Sequence, residues 1–292
     1  MIITSKTVLV TGATGYTGRR LLARIVHERR WSEVRLLLRP TSSLEGIPRS
    51  AVSFHEGDLS GNRDRLRSAF CGVDTVLHLA HIRYAEPVCA AVDRKAIQHI
   101  VLISSLRACS CVPSASTDEV REGERIALAS GLPTTVLRPS MIYGPGDDRN
   151  ISRLVVQLQR RRLIPMIGTE CLHQPVLVDD VVEAILACAG KTQTIGRRYA
   201  IAGAEALSTR KLVTAVGEVV GVRPVGIPLP GGLVASALLL LQKIGLRLPI
   251  TADQVRRLQE DKQYSNEPAS ADFGYQPCSF AEGIQRAYGS SR

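Results

Sequence analysis

An apolar strand, a glycine-rich loop and a helix follow one another near the start of the chain, and this succession constrains the fold more than any other feature. The segment VLVTGATGYTGRR places Gly12, Gly15 and Gly18 between the strand and the helix. Glycines at this spacing permit a tight turn and let backbone N–H groups approach a pyrophosphate, whose charge the helix N-terminus stabilises. Because a second strand follows the helix, the pattern predicts a dinucleotide-binding loop rather than a purely structural turn.

Apolar strand-like runs alternate with helical patterns through the first half of the chain. The predicted strands are TVLVTG (7–12), VRLLLR (34–39), AVSFHEGD (51–58), DTVLHLA (74–80), HIVLISS (99–105) and TTVLRPS (134–140). Continuous apolar strands separated by helices are typical of a parallel sheet that helices cover on both faces. The sequence therefore predicts an α/β fold with a doubly wound parallel sheet of the Rossmann type.

The pattern changes after about Ser140, and we place a lobe boundary there. Residues 1–140 are predicted to form the nucleotide-binding domain, and residues 141–292 mainly a smaller C-terminal lobe for the substrate. Strands near 175–178 and 197–203 are expected to return to the first sheet. The segments TADQ (251–254) and SFAE (279–282) each predict a helix that begins with a capping box.

The composition excludes several classes of protein. Hydrophobic residues make up 45% of the 292 residues and charged residues 22%, which is typical of a globular protein. The net charge is +10, but the basic residues are dispersed and aromatic residues reach only 4%, so we expect no nucleic-acid partner. The seven cysteines are an odd number, which favours reduced thiols and a cytoplasmic location. Histidines and acidic residues show no H-x-x-x-H or H-E-x-x-H spacing, so no metal is expected.

Two segments bear on membranes. The N-terminal MIITSKTVLV lacks a basic region followed by an apolar run and a cleavage site, so it predicts no signal peptide. The longest apolar run, 233–241, is shorter than the about 20 residues that span a bilayer. It is expected to form a buried helix. The alternative is a weak membrane-surface contact through 233–247, because Lys243 and Arg247 flank the run, and this would make the protein membrane-peripheral.

Seven segments together resemble the short-chain dehydrogenase/reductase superfamily, in its extended and atypical branches. These branches include nucleotide-sugar epimerases and dehydratases and the NmrA-like NADP-binding proteins. The segments are TGATGYTG (11–18), GDL (57–59), HLAH (78–81), ISS (103–105), LRPSMIYGPGDD (137–148), QPVLVDDVVEAI (174–185) and FGYQPCSFAEGI (273–284). They occur in the order of the superfamily and cover nearly the whole chain.

The resemblance implies where a dinucleotide would bind. Asp58 would accept a hydrogen bond from the adenine amino group. Strand two ends at Arg39 with no carboxylate between Val34 and Pro40, and an arginine there suits the 2′-phosphate, so NADP(H) is favoured over NAD(H). The predicted cofactor-binding residues are Gly12, Thr14, Gly15, Tyr16, Thr17, Gly18, Arg39, Asp58, Leu59, Leu79, Ala80, Ser104, Pro139 and Tyr143.

The catalytic pattern of the superfamily is interrupted in this chain. The superfamily uses a Tyr and a Lys four residues apart, with a Ser or Thr just beyond strand five. Counting back from the strand that follows, the Tyr falls on Ser116, the Lys on Val120 and the Ser or Thr on Leu106. A serine hydroxyl ionises far less readily than a phenol of pKa near 10, and valine carries no charge. SASTDEV (114–120) is nevertheless expected to keep the helix that the pair would occupy.

Other groups must then supply the proton if hydride transfer occurs. His81 and Tyr84 follow strand four, at the predicted mouth of the cleft. Ser105 could bond the substrate or the nicotinamide amide, and Tyr143 could donate to a substrate or shape the nicotinamide pocket. Each of these side chains also has a packing or strand-end interpretation, and both interpretations stay open.

The substrate candidates lie at the start of the second lobe and before its returning strand. Arg149 or Arg153 could bind a phosphate or carboxylate through two hydrogen bonds, with Asn150 between them. His173 precedes the returning strand, where members of the superfamily contact substrate. A solvated helix start is the alternative interpretation of the arginines.

Two functions fit the sequence. The favoured hypothesis is an NADP(H)-dependent oxidoreductase or epimerase/dehydratase-like enzyme with non-standard catalytic residues, which acts on a nucleotide-activated sugar or another small anionic metabolite. The alternative is a catalytically silent NADP(H)-binding sensor or structural subunit. The second lobe and its arginine pair favour an enzyme, because a sensor has little need of them. The resemblance also implies a homodimer, but no particular residue supports one.

Overall fold

A computed structural model describes residues 6–61, 63–146, 148–243 and 251–289. Its strands, numbered in chain order, are β1 (Thr7–Thr11), β2 (Glu33–Leu38), β3 (Ser53–Glu56), β4 (Thr75–His78), β5 (His99–Ile103), β6 (Thr134–Pro139), β7 (Ile142–Tyr143), β8 (Leu163–Ile167), β9 (Leu172–His173), β10 (Val176–Leu177), β11 (Arg198–Ile201), β12 (Leu207–Ser208) and β13 (Val225–Leu229). Its α-helices are α1 (Tyr16–Glu28), α2 (Arg63–Phe70), α3 (Ala85–Ala91), α4 (Ala115–Ala129), α5 (Ile151–Arg160), α6 (Val178–Cys188), α7 (Thr209–Val219), α8 (Gly231–Lys243), α9 (Ala252–Leu258), α10 (Glu267–Phe273) and α11 (Phe280–Tyr288).

Seven parallel strands form the central sheet in the order β11-β6-β5-β4-β1-β2-β3. The inner strands are buried on both faces, as the continuous apolar runs indicated: all four residues of β4 are buried. The direction of strand succession reverses between β1 and β4, and in such sheets ligands bind beyond the carboxyl ends of the strands at this reversal. The predicted doubly wound α/β fold is confirmed.

A separate layer of helices covers each face of the sheet. On one face Leu21 and Ile25 of α1 pack with Val182 and Ile185 of α6. On the other face the apolar core is built from α2, α3 and α4, and it includes Val120 of α4. Since α6 lies beyond the lobe boundary in sequence, the later chain supplies part of the cover of the first sheet.

The two predicted returning strands have different outcomes. β11 joins the sheet beside β6, with Arg198 opposite Val136. The segment near 175–178 differs from the prediction, because β10 pairs in parallel with the short β7 outside the seven-stranded sheet. The reason is that β11 already occupies the outer edge of β6, so the chain beyond β6 turns away from the sheet and β10 follows it.

The predicted capping boxes and the helix over SASTDEV are present. Thr251 caps α9 and Ser279 caps α11, each with the reciprocal bond from the third residue of the helix. α4 begins after Ser114, whose hydroxyl accepts from the N–H of Thr117 at 3.3 Å. Short-range side-chain chemistry therefore fixed these helix starts in the way that the sequence indicated.

The apolar run 233–241 lies in α8, and the expectation of a buried helix is wrong for most of it. α8 packs on α9 through Ala235 against Ala252 and Val255. Leu233 is 71% exposed and Leu240 is 64% exposed, because nothing described covers the outer side of this helix. Arg247 and the side chain of Lys243 lie outside the described part of the chain. Within that part, no helix is long and apolar enough to cross a membrane.

Two buried histidines tie strands of the central sheet to loops. His99 is 2% exposed; its Nδ1 accepts from the Gly190 N–H at 2.9 Å and its Nε2 lies 2.8 Å from the Thr135 hydroxyl. His78 is fully buried, with Nδ1 2.8 Å from the Thr11 hydroxyl. Burial lowers the pKa of each ring from 6.5 to about 4, so both are neutral in the folded protein near pH 7.

Acidification is expected to destabilise the fold through these rings. Between pH 6.5 and 4 the unfolded chain binds protons that the folded histidines do not, so the stabilising contribution is complete above pH 6.5 and is lost as the pH falls towards 4. Each ring contributes up to about 1.4 kcal/mol per pH unit to the slope. His99→Asn should reduce the slope measured by urea unfolding, whereas His27→Asn at an exposed position of α1 should not. An unchanged slope in His99→Asn would contradict this assignment.

Candidate cofactor site and active site

The glycine loop after β1 depends on close backbone contacts. Gly12 has a φ of +71°, and a Cβ placed on it would lie 2.6 Å from the backbone nitrogen of Ala80. A Cβ on Gly18 would lie 2.2 Å from the carbonyl oxygen of Gly12. The N–H of Gly15 donates to that same carbonyl at 3.0 Å. The sequence therefore holds α1 tightly against both the loop and the segment that follows β4.

The N-terminus of α1 is suited to an anion. The helix begins after Gly15, which has no side chain to cap it, and its first turn contains no acidic residue. The first N–H groups of a helix have no intrahelical partner and carry the positive end of its dipole. Because these N–H groups belong to residues that line a cavity, the site fits the pyrophosphate of a dinucleotide.

This cavity lies beyond the carboxyl ends of β1, β4 and β5 and has a volume of about 350 Å³. That size is typical of small-molecule sites. The predicted residues that line it are Gly12, Gly15, Tyr16, Thr17, Gly18, Leu79, Ala80, His81, Ser104 and Ser105. The remaining walls, which the sequence did not single out as contacts, are Ile82, Ile103, Val120 and Ile142. The glycine loop and two of the three proton-transfer candidates thus share one cavity.

Arg39 and Asp58, predicted for the adenosine end, lie outside this lining. Arg39 is exposed at the end of β2. Asp58 is half-buried, and its Oδ1 accepts from the N–H and the hydroxyl of Ser60 at 2.9 Å and 2.6 Å. These bonds, and more weakly the charge of Arg39, hold the pKa of Asp58 below its usual value. The carboxylate therefore stays ionised, as an acceptor for an amino group requires.

Three further cofactor candidates also lie outside the cavity lining. The carbonyl of Thr14 accepts from Nε of Arg19 at 3.1 Å. Leu59 packs against the core on the α2 side of the sheet, and Pro139 is buried in β6. Their contacts support the loop and the sheet rather than the cavity surface.

Tyr143 is placed in the interior of the second lobe. It is 1% exposed, and its ring meets the ring of Phe280 edge-on at 5.2 Å. Burial raises the pKa of its hydroxyl. Tyr16 is the tyrosine that lines the cavity, and its hydroxyl donates to the Pro145 carbonyl at 3.2 Å. Burial raises the pKa of Tyr16 to about 12, so it serves as a neutral link between α1 and the 144–146 turn.

A buried carboxylate behind the cavity escaped the sequence analysis. Glu124 of α4 is 2% exposed and accepts from the Ser104 hydroxyl at 2.5 Å. Arg138 of β6 donates two hydrogen bonds to it, at 2.9 Å and 2.5 Å. The signal was present, because Glu124 lies four residues after Val120 on the same buried helical face, where an unpaired acid is rare. The network fixes the Ser104 hydroxyl at the cavity wall.

The positions that align with the missing Tyr and Lys have other surroundings. Val120 is 3% exposed and forms an apolar part of the cavity wall. The Ser116 hydroxyl lies 3.2 Å from that of Ser114, which also accepts from Nη1 of Arg257 at 3.0 Å. The carboxylate of Glu260 accepts from the N–H of Cys111 at 2.7 Å. The second lobe therefore contacts the start of α4 directly.

His81 is the strongest proton-transfer candidate by position. It lines the cavity, and its Nδ1 accepts from the N–H of Arg83 at 3.2 Å, which leaves Nε2 to carry the proton of the neutral ring. Burial lowers the pKa of His81, and the positive charge of Arg83 lowers it further. Tyr84 lies outside the lining, and its hydroxyl accepts from Arg83 at 3.0 Å. Ser105 lines the cavity and caps a short helical turn by accepting from the Arg107 N–H at 3.2 Å.

The predicted substrate residues do not line the cavity. Arg149 and Arg153 are exposed near the start of α5, and Arg149 has a φ of +65°. The amide of Asn150 donates to the Ile142 carbonyl at 3.0 Å. His173 is 8% exposed, with Nε2 3.0 Å from the Thr209 hydroxyl, and burial lowers its pKa to about 4. Asn150 and His173 thus hold the second lobe together.

Two other cations lie near Ser105 and the start of α4. Arg107 follows Ser105, and Arg257 reaches the start of α4 from the second lobe. Desolvation, and then the positive charge of Arg257, lower the pKa of Arg107. No group of three side chains suited to a metal ion occurs among the described residues.

Residues 12–161 match the pattern of the NAD(P)H-binding family, and the chain belongs to that family. Among characterised relatives, the 2-alkyl-3-oxoalkanoate reductase of Stenotrophomonas maltophilia (strain K279a) is 28% identical over 97% of this chain and 99% of the relative. The ceramide reductase of Caulobacter vibrioides (strain NA1000 / CB15N) is 26% identical over 79% of this chain and 76% of the relative.

Solved structures share the fold along almost the whole chain. The crystal structure of gox2253 has a TM-score of 0.78 at 23% identity and covers 97% of both chains. UDP-glucuronic acid 4-epimerase from Bacillus cereus, solved with UDP-glucuronic acid and NAD, has a TM-score of 0.74 at 18% identity and covers 97% of this chain and 98% of that one. Together with the match to the NAD(P)H-binding family and the reductase of similar length, this fold confirms the resemblance to the extended short-chain dehydrogenase/reductase branch.

A negative charge introduced at the uncapped N-terminus of α1 should weaken cofactor binding without disrupting the fold. Gly15→Asp introduces a helix cap, and a Cβ there meets only the Gly12 carbonyl, at 3.2 Å, so the fold should persist. The carboxylate would occupy the anion site, and we expect NADPH affinity to fall at least about a hundredfold. Gly15→Asn is the matched neutral control and should bind more tightly than Gly15→Asp. If the two variants bind NADPH with equal affinity in a fluorescence titration, the pyrophosphate does not bind at this helix terminus.

Proposed function

We propose that the protein is an NAD(P)H-dependent reductase that transfers hydride to the carbonyl group of an acid with an alkyl chain. The observation that carries the proposal is the continuity of one cavity from the uncapped N-terminus of α1 to Ser105 and His81. The names of the two relatives, a 2-alkyl-3-oxoalkanoate reductase and a ceramide reductase, support a carbonyl substrate with an alkyl chain.

The chemistry of the walls supports this substrate class. Where the superfamily has a lysine, Val120 presents an apolar surface to the cavity, and Ile103 and Ile142 extend it. Arg107 lies two residues after Ser105 and Arg257 bonds Ser114 at the start of α4, and we propose that these two cations receive a carboxylate head group. An amphiphilic acid therefore meets both requirements. Its carboxylate fits the small anionic metabolite predicted from the sequence, and its alkyl chain fits the apolar walls of the cavity. A nucleotide-activated sugar is the second candidate, because its diphosphate would suit the same two cations.

In the proposed mechanism the nicotinamide, when bound, supplies the hydride, and the side chains of this chain manage the proton. Ser104 is held by Glu124 and presents a fixed hydroxyl at the wall. Ser105 lies one residue further along the same edge. A protonated His81 would transfer a proton to the alkoxide as it forms. Because the pKa of His81 is lowered, the protonated fraction is small at pH 7 and grows on acidification.

The proton role of His81 gives a kinetic test. Against a panel of 3-oxoalkanoates of graded chain length, kcat/KM should rise as the pH falls from 7.5 through 6, because the acid form of His81 becomes populated. His81→Gln should lower kcat about a hundredfold, flatten this profile and leave NADPH affinity unchanged. Tyr84→Phe, outside the cavity lining, is the control. Full activity in His81→Gln would assign the proton to another group or to water.

We also propose a preference for NADP(H) over NAD(H), supported by the exposed Arg39 at the end of β2 and by a sequence without a carboxylate between Val34 and Pro40. Arg39→Asp should lower NADPH affinity about ten- to a hundredfold, since a charge-assisted bond to the 2′-phosphate is lost. NADH affinity should stay the same or improve, because a carboxylate there accepts from the ribose hydroxyl. Parallel titrations with both nucleotides check this prediction. An equal loss for both would indicate damage to the fold.

A catalytically silent sensor or subunit is the alternative, and the loss of the Tyr and Lys at Ser116 and Val120 favours it. The distinction is whether NADPH is oxidised: tight binding without turnover on any 3-oxoalkanoate or nucleotide-activated sugar would favour the sensor. A cytoplasmic location and a homodimer stay predictions. Fractionation of the source cells and light scattering of the purified protein would check them.

A further inference from the structure

The second lobe carries an apolar face that nothing described covers. Of the eleven large apolar residues that are exposed in the described structure, seven belong to β8, β13 and α8. We define the lobe face by six of these seven residues, leaving out Leu239: they are Leu163, Val225, Ile227, Leu229, Leu233 and Leu240. The most exposed of them is Leu233 at 71%. Exposed apolar side chains concentrated on elements that follow or pair with one another indicate a contact with a partner or a membrane.

The register of the two strands fixes this orientation. β8 and β13 pair in parallel, with Val225 opposite Leu163 and Ile227 opposite Pro165. Strand alternation sends the intervening Ile164 and Met166 into the core of the lobe. The Met166 side chain packs directly against Gly226, where an added Cβ would lie 1.8 Å from its methyl group. The exposed residues therefore cannot turn inward without a loss of core packing.

Arginines without an ion-pair partner among the described residues lie at one end of the lobe face. The run Arg160 to Arg162 leads into β8, and the N–H of Val225 donates to the Arg162 carbonyl at 2.8 Å. Since the strands are parallel, Arg223, two residues before Val225, lies at the same end. The side chains of Arg161, Arg162 and Arg223 are exposed and make no ion pair with any described residue.

We propose that the lobe face docks on an anionic membrane surface, with its apolar residues at the acyl boundary and these arginines among the headgroups. Apolar area together with adjacent cationic side chains is the combination that binds anionic lipid. A second copy of the chain is a poorer occupant, because it would bring a second set of unpaired arginines to the same surface. The net charge of +10 acts in the same direction. This inference goes beyond the proposed reductase activity and does not depend on it.

The test is cosedimentation of the full chain with phosphatidylcholine vesicles, with and without phosphatidylglycerol and at low and raised salt. Binding should require phosphatidylglycerol and weaken with salt. Arg161→Gln combined with Arg162→Gln should weaken binding about thirtyfold. Leu233→Ser combined with Leu240→Ser should weaken it at least about tenfold. The matched controls in the first lobe, Arg67→Gln and Phe54→Ser, should bind as the parent does; both are exposed.

Three results would overturn the proposal. The first is no binding to vesicles that contain phosphatidylglycerol. The second is binding that the leucine pair leaves unchanged, which would mean adsorption of a basic protein by charge alone. The third is a change in the sedimentation velocity of the free protein when the two leucines are replaced, together with no binding to vesicles. This would assign the lobe face to a contact with a second copy of the chain. Circular dichroism of each variant ensures that loss of binding is not loss of fold.

Discussion

The contact between Gly18 and the carbonyl of Gly12 is the constraint on which the rest of the site depends. A single methyl group at Gly18 would lie 2.2 Å from that oxygen, so α1 can approach β1 only because no side chain intervenes. This approach aims the first N–H groups of α1 into the cavity. The segment after β4 also approaches Gly12 closely, since a Cβ there would lie 2.6 Å from backbone atoms of Leu79 and Ala80. One backbone geometry therefore positions both the anion site and the wall that carries His81.

The sequence predicted what depends on local patterns. Apolar runs gave the strands of the sheet, glycine spacing gave the loop, and Thr251 and Ser279 gave two helix starts, because each signal acts within a few residues. The pairing of Val176 and Leu177 with β7 was not predictable in this way. It depends on β11 having taken the edge of β6, which is a competition between segments distant in sequence.

The site was predictable in part for the same reason. The loop residues and His81 follow strands, so their place at the carboxyl edge of the sheet could be inferred. Glu124 becomes informative only when Arg138 and Ser104 are known to meet it. Tyr143 shows the opposite case: its motif indicated the nicotinamide, and the structure shows its aromatic ring packed in the core of the second lobe. A sequence motif predicts which segment lies at the site, but packing decides in which direction each side chain of that segment points.

The replacement of the Tyr and Lys pair alters the chemistry more than the frame. Val120 belongs to the apolar core beneath α4 and also forms cavity wall, so it supplies burial where a lysine would carry a charge. The helix remains capped by Ser114, and the start of α4 gains contacts with the second lobe through Arg257. Removing a charged amine from a cavity makes it less polar and so better suited to an alkyl chain than to a sugar. Under the proposed function, Ser116 thus replaces the usual acid, while Val120 replaces the amine and favours a lipophilic substrate. The membrane contact proposed for the lobe face would suit a substrate of this kind.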